Sequence, residues 1–154
     1  MTPRTLFPAL ARAEVVSWTL LLLGMVLKYV TRTTDVGVAV FGLVHGVVFL
    51  AYVLVTLLVW TDQRWPLRVG LGALAAGVPP FATLWIERLV ERRGLLGHRW
   101  RLRPGGDPPR HLGERVLAHA LARPVPAAVL GGAGVLVVTA ALLAVGPPGG
   151  SAGA

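Results

Sequence analysis

The chain contains no cysteine, which excludes disulfides, thiol catalysis and thiolate metal sites and leaves the compartment open. Charge is also scarce: 14% of its 154 residues are Asp, Glu, Lys or Arg, against 55% hydrophobic, and the mean hydropathy is +0.68. A soluble domain of this size needs a more polar surface, so hydrocarbon is the indicated solvent. Acidic residues are the scarcer sign, seven against fifteen basic, for a formal charge of +8. In a water-soluble chain that excess points to nucleic acid. Here most of it falls in one segment between apolar runs, so the expected counter-charge is anionic lipid headgroups, with no nucleic acid.

What the chain has instead is uninterrupted apolar sequence. Val36 to Trp60 holds no fixed charge and one histidine, His45; as a helix it reaches roughly 37 Å against a hydrocarbon layer of about 30 Å. Ala13 to Val30 is an earlier run. Residues 28–32, Lys-Tyr-Val-Thr-Arg, offer no small-residue cleavage site, so this run reads as a retained span and not as a signal peptide. Helical spacing puts Glu14, Trp18, Leu21, Met25 and Lys28 on one face, expected to look inward. The short connection Thr31–Asp35 forces the two spans into an antiparallel hairpin. In the second span Gly42, His45, Phe49, Tyr52 and Thr56 share a face, and Gly42 with Gly46 forms a G-x-x-x-G pair suited to close helix approach.

A third run, about Val69 to Ile86, carries Pro79-Pro80, which predicts a kink or a broken helix with freed carbonyls near Ala75 and Ala76. Trp60, Trp65 and Trp85 are expected at the membrane interface. Glu87–Arg123 is polar and arginine-rich, with a Pro/Gly stretch at Arg103–Arg110 and a short amphipathic helix over Leu112–Ala122 suited to a membrane surface. Val125–Val145 is a fourth span.

The expected architecture is all-α: a polytopic transmembrane bundle of three core spans plus a C-terminal fourth. Its divisions are a three-span integral membrane domain over 6–95, an arginine-rich cytoplasmic linker with an interfacial helix over 96–123, the fourth span over 124–146 and a disordered tail over 147–154. Four crossings put Glu87–Arg123 on the same side as Lys28–Asp35. That places eleven basic residues inside against four outside, with both termini outside.

Glu14, Lys28, His45 and Tyr52 form the candidate intramembrane polar site, because ionisable groups in a bilayer are costly and seek a bundle interior. Each has a structural alternative: Lys28 snorkels to headgroups, Glu14 caps its helix or pairs with Arg12, and His45 makes one structural hydrogen bond. Taking the hairpin centre near residue 33 pairs Glu14 with Tyr52 and separates Glu14 from His45 by roughly 10 Å. Gly42, Gly46, Pro79 and Pro80 are the packing residues. Arg92, Arg93, Arg99, Arg101 and Arg103 are the anionic-lipid contacts. One intramembrane histidine is too few for zinc or bis-histidine haem within a single chain, so no metal or cofactor is expected. No serine or threonine is expected near a plausible base, which makes an enzyme the weakest class.

Glu14-Val15-Val16-Ser17 opening the first span, Leu27-Lys28-Tyr29 closing it, His45-Gly46 in the second and Val78-Pro79-Pro80-Phe81 in the third together resemble the domain of unknown function 3817, a family of small bacterial integral membrane proteins. The resemblance covers about residues 6 to 95. It implies three spans, an actinobacterial setting and no assigned activity, with the arginine-rich segment and fourth span as an extension. The doubled proline departs from the single proline of that pattern.

The function expected from all this is a multi-pass cell-membrane protein acting as a non-catalytic envelope partner or scaffold, in contact with anionic lipids and a membrane-protein partner or further copies of itself. The alternative is an oligomeric transporter or proton pathway using Glu14 and His45.

Overall fold

The computed structural model describes residues 1–145, so the tail expected to be disordered lies outside the described residues. Those residues form helices joined by irregular segments and carry no strand. Helix α1, Pro3–Met25, starts at a capping box between Thr2 and Thr5 with Pro3 in its first turn, where a missing N–H costs nothing. It runs on as a π-helical turn, Val26–Val30. Helix α2, Val36–Gln63, has 28 residues and ends where Arg64 takes a left-handed conformation, φ 52°.

These two helices form the expected antiparallel hairpin, crossing most closely at Gly24 and Gly37. A Cβ on Gly24 would sit 2.8 Å from the Gly37 carbonyl carbon, so the backbones touch where both side chains are absent. The G-x-x-x-G pair does not make this crossing: among the described residues Gly42 meets only Leu21, and nothing stands within 4 Å of a Cβ on Gly46. Together with Phe49, Thr139 and Leu142, Gly42 and Gly46 line an open apolar groove.

The third apolar run resolves into two short helices, α3 (Leu67–Ala75) and α4 (Ala82–Arg92). Neither is long enough to cross: 9 and 11 residues reach about 14 and 17 Å. Pro79 and Pro80 supply no N–H, and Phe81 turns the chain with φ 66°. The freed acceptors are Ala73 O and Gly77 O, bonded by Tyr52 Oη at 2.7 Å and Trp18 Nε1 at 3.4 Å; the carbonyl of Ala75 is taken by Val78 N at 3.1 Å.

The partners along this unit show that it turns back. Gly70 packs on Trp60, Gly77 packs on Phe49 and Tyr52, and Thr83 Oγ1 then donates to Ala11 O at 3.0 Å. Beyond α4, His98 meets Arg4 and Trp100 bonds the carbonyl of Met1. The chain thus enters beside the end of α2, reaches the level of Trp18 and Phe49, and leaves beside the start of α1. The reading of Val69–Ile86 as a third crossing is corrected to a re-entrant helical hairpin.

Residues 93–123 consequently cover the end of the bundle that holds the N-terminus and the Arg64–Pro66 connection, opposite Lys28–Asp35. The expected placement on the Lys28–Asp35 side, which needs four crossings, is corrected by this turn-back. This cap is built on buried Asp62, whose carboxylate accepts the amides of Arg101 and Leu102 at 3.0 Å each. Helix α5, Leu112–Ala122, has the expected bounds but turns Glu114 inward with Leu117, leaving Leu112 and Val116 exposed.

Helix α6, Pro124–Val145, packs on α2 with Gly131 against Leu54 and Thr139 near Gly42. It therefore runs antiparallel to α2, away from the cap. Three helices, Pro3–Val30, Val36–Gln63 and Pro124–Val145, are long and apolar enough to cross a membrane. Of the tryptophans expected at the interface, Trp65 is buried in protein, edge-on to Phe7 at 5.2 Å, and Trp85 is exposed.

Candidate functional site

Inside the crossing of α1 and α2 lies a cluster of three polar side chains, Glu14, Ser17 and His45. Glu14 and Ser17 share a face of α1 because they are three residues apart. His45 comes from α2, brought opposite by the Gly24–Gly37 contact. That contact centres the hairpin near residue 30 and not 33, because α1 overshoots the crossing through its π-helical turn and the connection doubles back. Glu14 therefore meets His45, His45 Nδ1 to Glu14 Oε2 being 3.5 Å. The expected pairing of Glu14 with Tyr52 is corrected, since the Tyr52 hydroxyl goes to Ala73 O.

Ser17 Oγ lies 2.9 Å from Glu14 O, 3.0 Å from Glu14 Oε2 and 3.0 Å from His45 Nδ1. A hydroxyl has one proton, so it donates to one of these groups and accepts from a protonated neighbour. Glu14 is 0% exposed, and its Oε1 has no hydrogen-bond partner among the described residues. The Trp18 ring lies 4.4 Å from the imidazole, centroid to centroid, on the same side as the hairpin break that its indole bonds. Ser17 Oγ thus bridges the buried Glu14 carboxyl and the His45 imidazole.

A serine thus does stand beside a base, contrary to the expectation, yet the order differs from that of a nucleophile triad. There the acid and the hydroxyl hold opposite ring nitrogens. Here Ser17 and Glu14 both face Nδ1.

Lys28 stands apart from this cluster, pairing with Asp35 at 3.7 Å in the opposite connection and lying over the Tyr29 ring. Pro79 and Pro80 form the tip of the hairpin break. Of the arginines expected to face lipid, Arg92, Arg93, Arg99 and Arg103 are exposed. Arg101 is not free: its guanidinium bonds Asp62 O at 2.6 Å and pairs with Glu114. Glu114 also accepts Arg64 Nε at 3.1 Å and the amide of Arg110 at 2.7 Å. That amide, then the two guanidiniums, hold its carboxyl far below the usual range, lowered to about 2. Arg12 is taken up by Glu87 at 2.8 Å.

Among the described residues no group of three or more His, Asp or Glu is placed to hold a metal. Ser17, Asp62, Glu87 and Glu114 were missed by sequence reasoning. Ser17 alone carried a signal, its spacing from Glu14.

The family profile for the domain of unknown function 3817 matches residues 4–92. A curated Streptomyces coelicolor protein named as a membrane protein is 42% identical over 103 residues. Those residues are 66% of this chain and 12% of that protein, so the chain spans about an eighth of the relative it matches. No solved structure matches the chain.

Proposed function

We propose, from the premise that the chain belongs to the domain of unknown function 3817 family, that it is a multi-pass cell-membrane module working as a non-catalytic partner of other envelope proteins. The observation that carries this is how the bundle spends its intramembrane polar groups. Glu14, Ser17 and His45 engage one another, Tyr52 and Trp18 bond the hairpin break, and Thr83 bonds α1. Apart from Glu14 Oε1, these groups tie the helices and the hairpin break to one another. In the Streptomyces relative the matched stretch is a small part of a long chain, which fits a membrane module joined to larger machinery.

The distribution of basic residues over this fold supports one orientation. Lys28 and Arg32 lie at the open connection, and the remaining thirteen of fifteen basic residues lie at or towards the cap. The positive-inside rule then puts the N-terminus and cap in the cytoplasm and the Thr31–Asp35 connection outside. This asymmetry is far steeper than the eleven against four that four crossings gave.

The second reading, an oligomeric proton pathway, is favoured by one feature: the partnerless Oε1 of Glu14 beside His45. Proteoliposomes under a pH gradient separate the two. The partner reading expects proton flux at the protein-free level for the parent, His45→Ala and Glu14→Gln. Flux in the parent that is lost in either variant establishes the pathway instead. Extraction in native nanodiscs supplies the positive arm, where the partner reading expects a second protein at fixed stoichiometry and a lone chain contradicts it.

A further inference from the structure

We infer that the outer face of α4, made by Trp85, Arg88, Arg92 and the adjoining Arg93, seats the headgroup of an anionic phospholipid. Helix α4 buries Thr83, Glu87 and Val90, so Trp85, Arg88 and Arg92, three and four residues apart, point away from the bundle. Trp85 is 79% exposed and the three arginines are exposed. With Leu89 these four side chains line a single hollow.

Elsewhere the arginines nearest the bundle are spoken for: Arg12 by Glu87, Arg64 and Arg101 by Glu114. Arg88, Arg92 and Arg93 have no carboxylate within 4.0 Å among the described residues. Glu87 is committed to Arg12, and Glu91, three residues on from Arg88 and so its neighbour on the helix surface, makes no ion pair with it within 4.0 Å. Three guanidiniums without a counter-ion repel one another, and the group that satisfies them offers several acceptor oxygens and negative charge. Phosphate has that chemistry.

The floor of the hollow decides for a lipid over a free ion. Helix α4 rises from the break at Pro79-Pro80 to the cap, so Trp85 lies about 10 Å deeper than Arg92 along the axis. Trp85 at the floor, Arg88 and Leu89 about 5–6 Å higher and Arg92 with Arg93 at the top match the acyl, glycerol and phosphate depths of one lipid molecule. The inference rests on the membrane orientation proposed above, which puts this face in the cytoplasmic leaflet, where anionic lipids concentrate.

The test is lipid retention by the full chain, reconstituted in nanodiscs of mixed phosphatidylglycerol and phosphatidylcholine, extracted in mild detergent and weighed by native mass spectrometry. Each arginine near an anionic surface is worth roughly fivefold in binding, so the parent should hold phosphatidylglycerol over phosphatidylcholine by at least about tenfold. Arg88→Gln/Arg92→Gln/Arg93→Gln should abolish that preference. Arg99→Gln/Arg103→Gln/Arg115→Gln removes the same charge from the cap and should keep it. Trp85→Ala changes no charge at an exposed position and should lower retention by more than half, which decides the matter if the triple variant misfolds. Equal losses in both triple variants, no preference in the parent, or unchanged retention in Trp85→Ala overturns the site. Displacement of the lipid by millimolar inorganic phosphate overturns the lipid assignment. Both leaflets of the disc have one composition, so the readout is independent of orientation, and failure of the partner reading registers in the flux assay or the native-nanodisc extraction and not in lipid retention.

Discussion

Trp65 donates its indole N–H to the carbonyl of Leu95 at 2.8 Å, so the two ends of the α3–α4 unit lie side by side. A helix that crossed a bilayer would hold its ends about 30 Å apart. This one contact therefore decides that residues 67–92 enter and leave at the same face, and with it the side on which the arginine-rich cap sits.

A cysteine-free chain allows this to be checked directly. Single substitutions Arg68→Cys and Asp107→Cys should both resist a membrane-impermeant maleimide in intact cells and react after permeabilisation, while Thr33→Cys should react without it. Labelling of Arg68→Cys and Asp107→Cys from opposite sides would restore a third crossing.

The Gly24–Gly37 crossing should be the intolerant packing position. Gly24→Val places its side chain into the backbone of α2 and should cost about 1–3 kcal/mol, as overpacking usually does, read as a fall in the thermal midpoint in detergent. Gly46→Ala meets nothing within 4 Å among the described residues and, lying inside α2, should hold the midpoint or raise it slightly. The reverse result would make the G-x-x-x-G pair the true contact.

Tyr52→Phe keeps the ring and loses the hydroxyl that satisfies Ala73 O. A buried acceptor left unpaired costs about 1–3 kcal/mol, so the variant should unfold at lower temperature and the α3–α4 amides should exchange faster. Exchange that rises evenly over the whole chain would argue against a local role in holding the hairpin.

The cap should weaken in acid through Glu114. Its folded pKa is lowered from 4.5 to about 2, so its contribution is fully present above about 4.5 and is lost as the pH falls through about 2. Limited proteolysis across residues 93–111 should accelerate over that window in the parent. In Glu114→Gln the cap should be open already at neutral pH, and a variant that retained the parent's acid transition would assign it to another carboxylate.

Hydrophobic runs longer than a bilayer needs no partner to be recognised, so α1, α2 and α6 were legible from residue type alone, as was the break at Pro79-Pro80, where two backbone donors are missing. The inward faces of Glu14 and Tyr52 followed from helical period. Their partners did not. A shift of the hairpin centre by about three residues moves a residue's opposite number by about six, and that shift came from a π-helical turn and a glycine crossing without a distinctive sequence pattern. Asp62 and Glu114 were invisible for a related reason: each is buried by contacts far along the chain, with Arg101 and Leu102 for one and Arg64 for the other. Composition by itself determined the solvent, because transfer free energy depends on residue type and hardly on order. Only the tertiary structure decided how many times the chain crosses that solvent and which arginines remain free, because both depend on where a broken helix is caught by its neighbours.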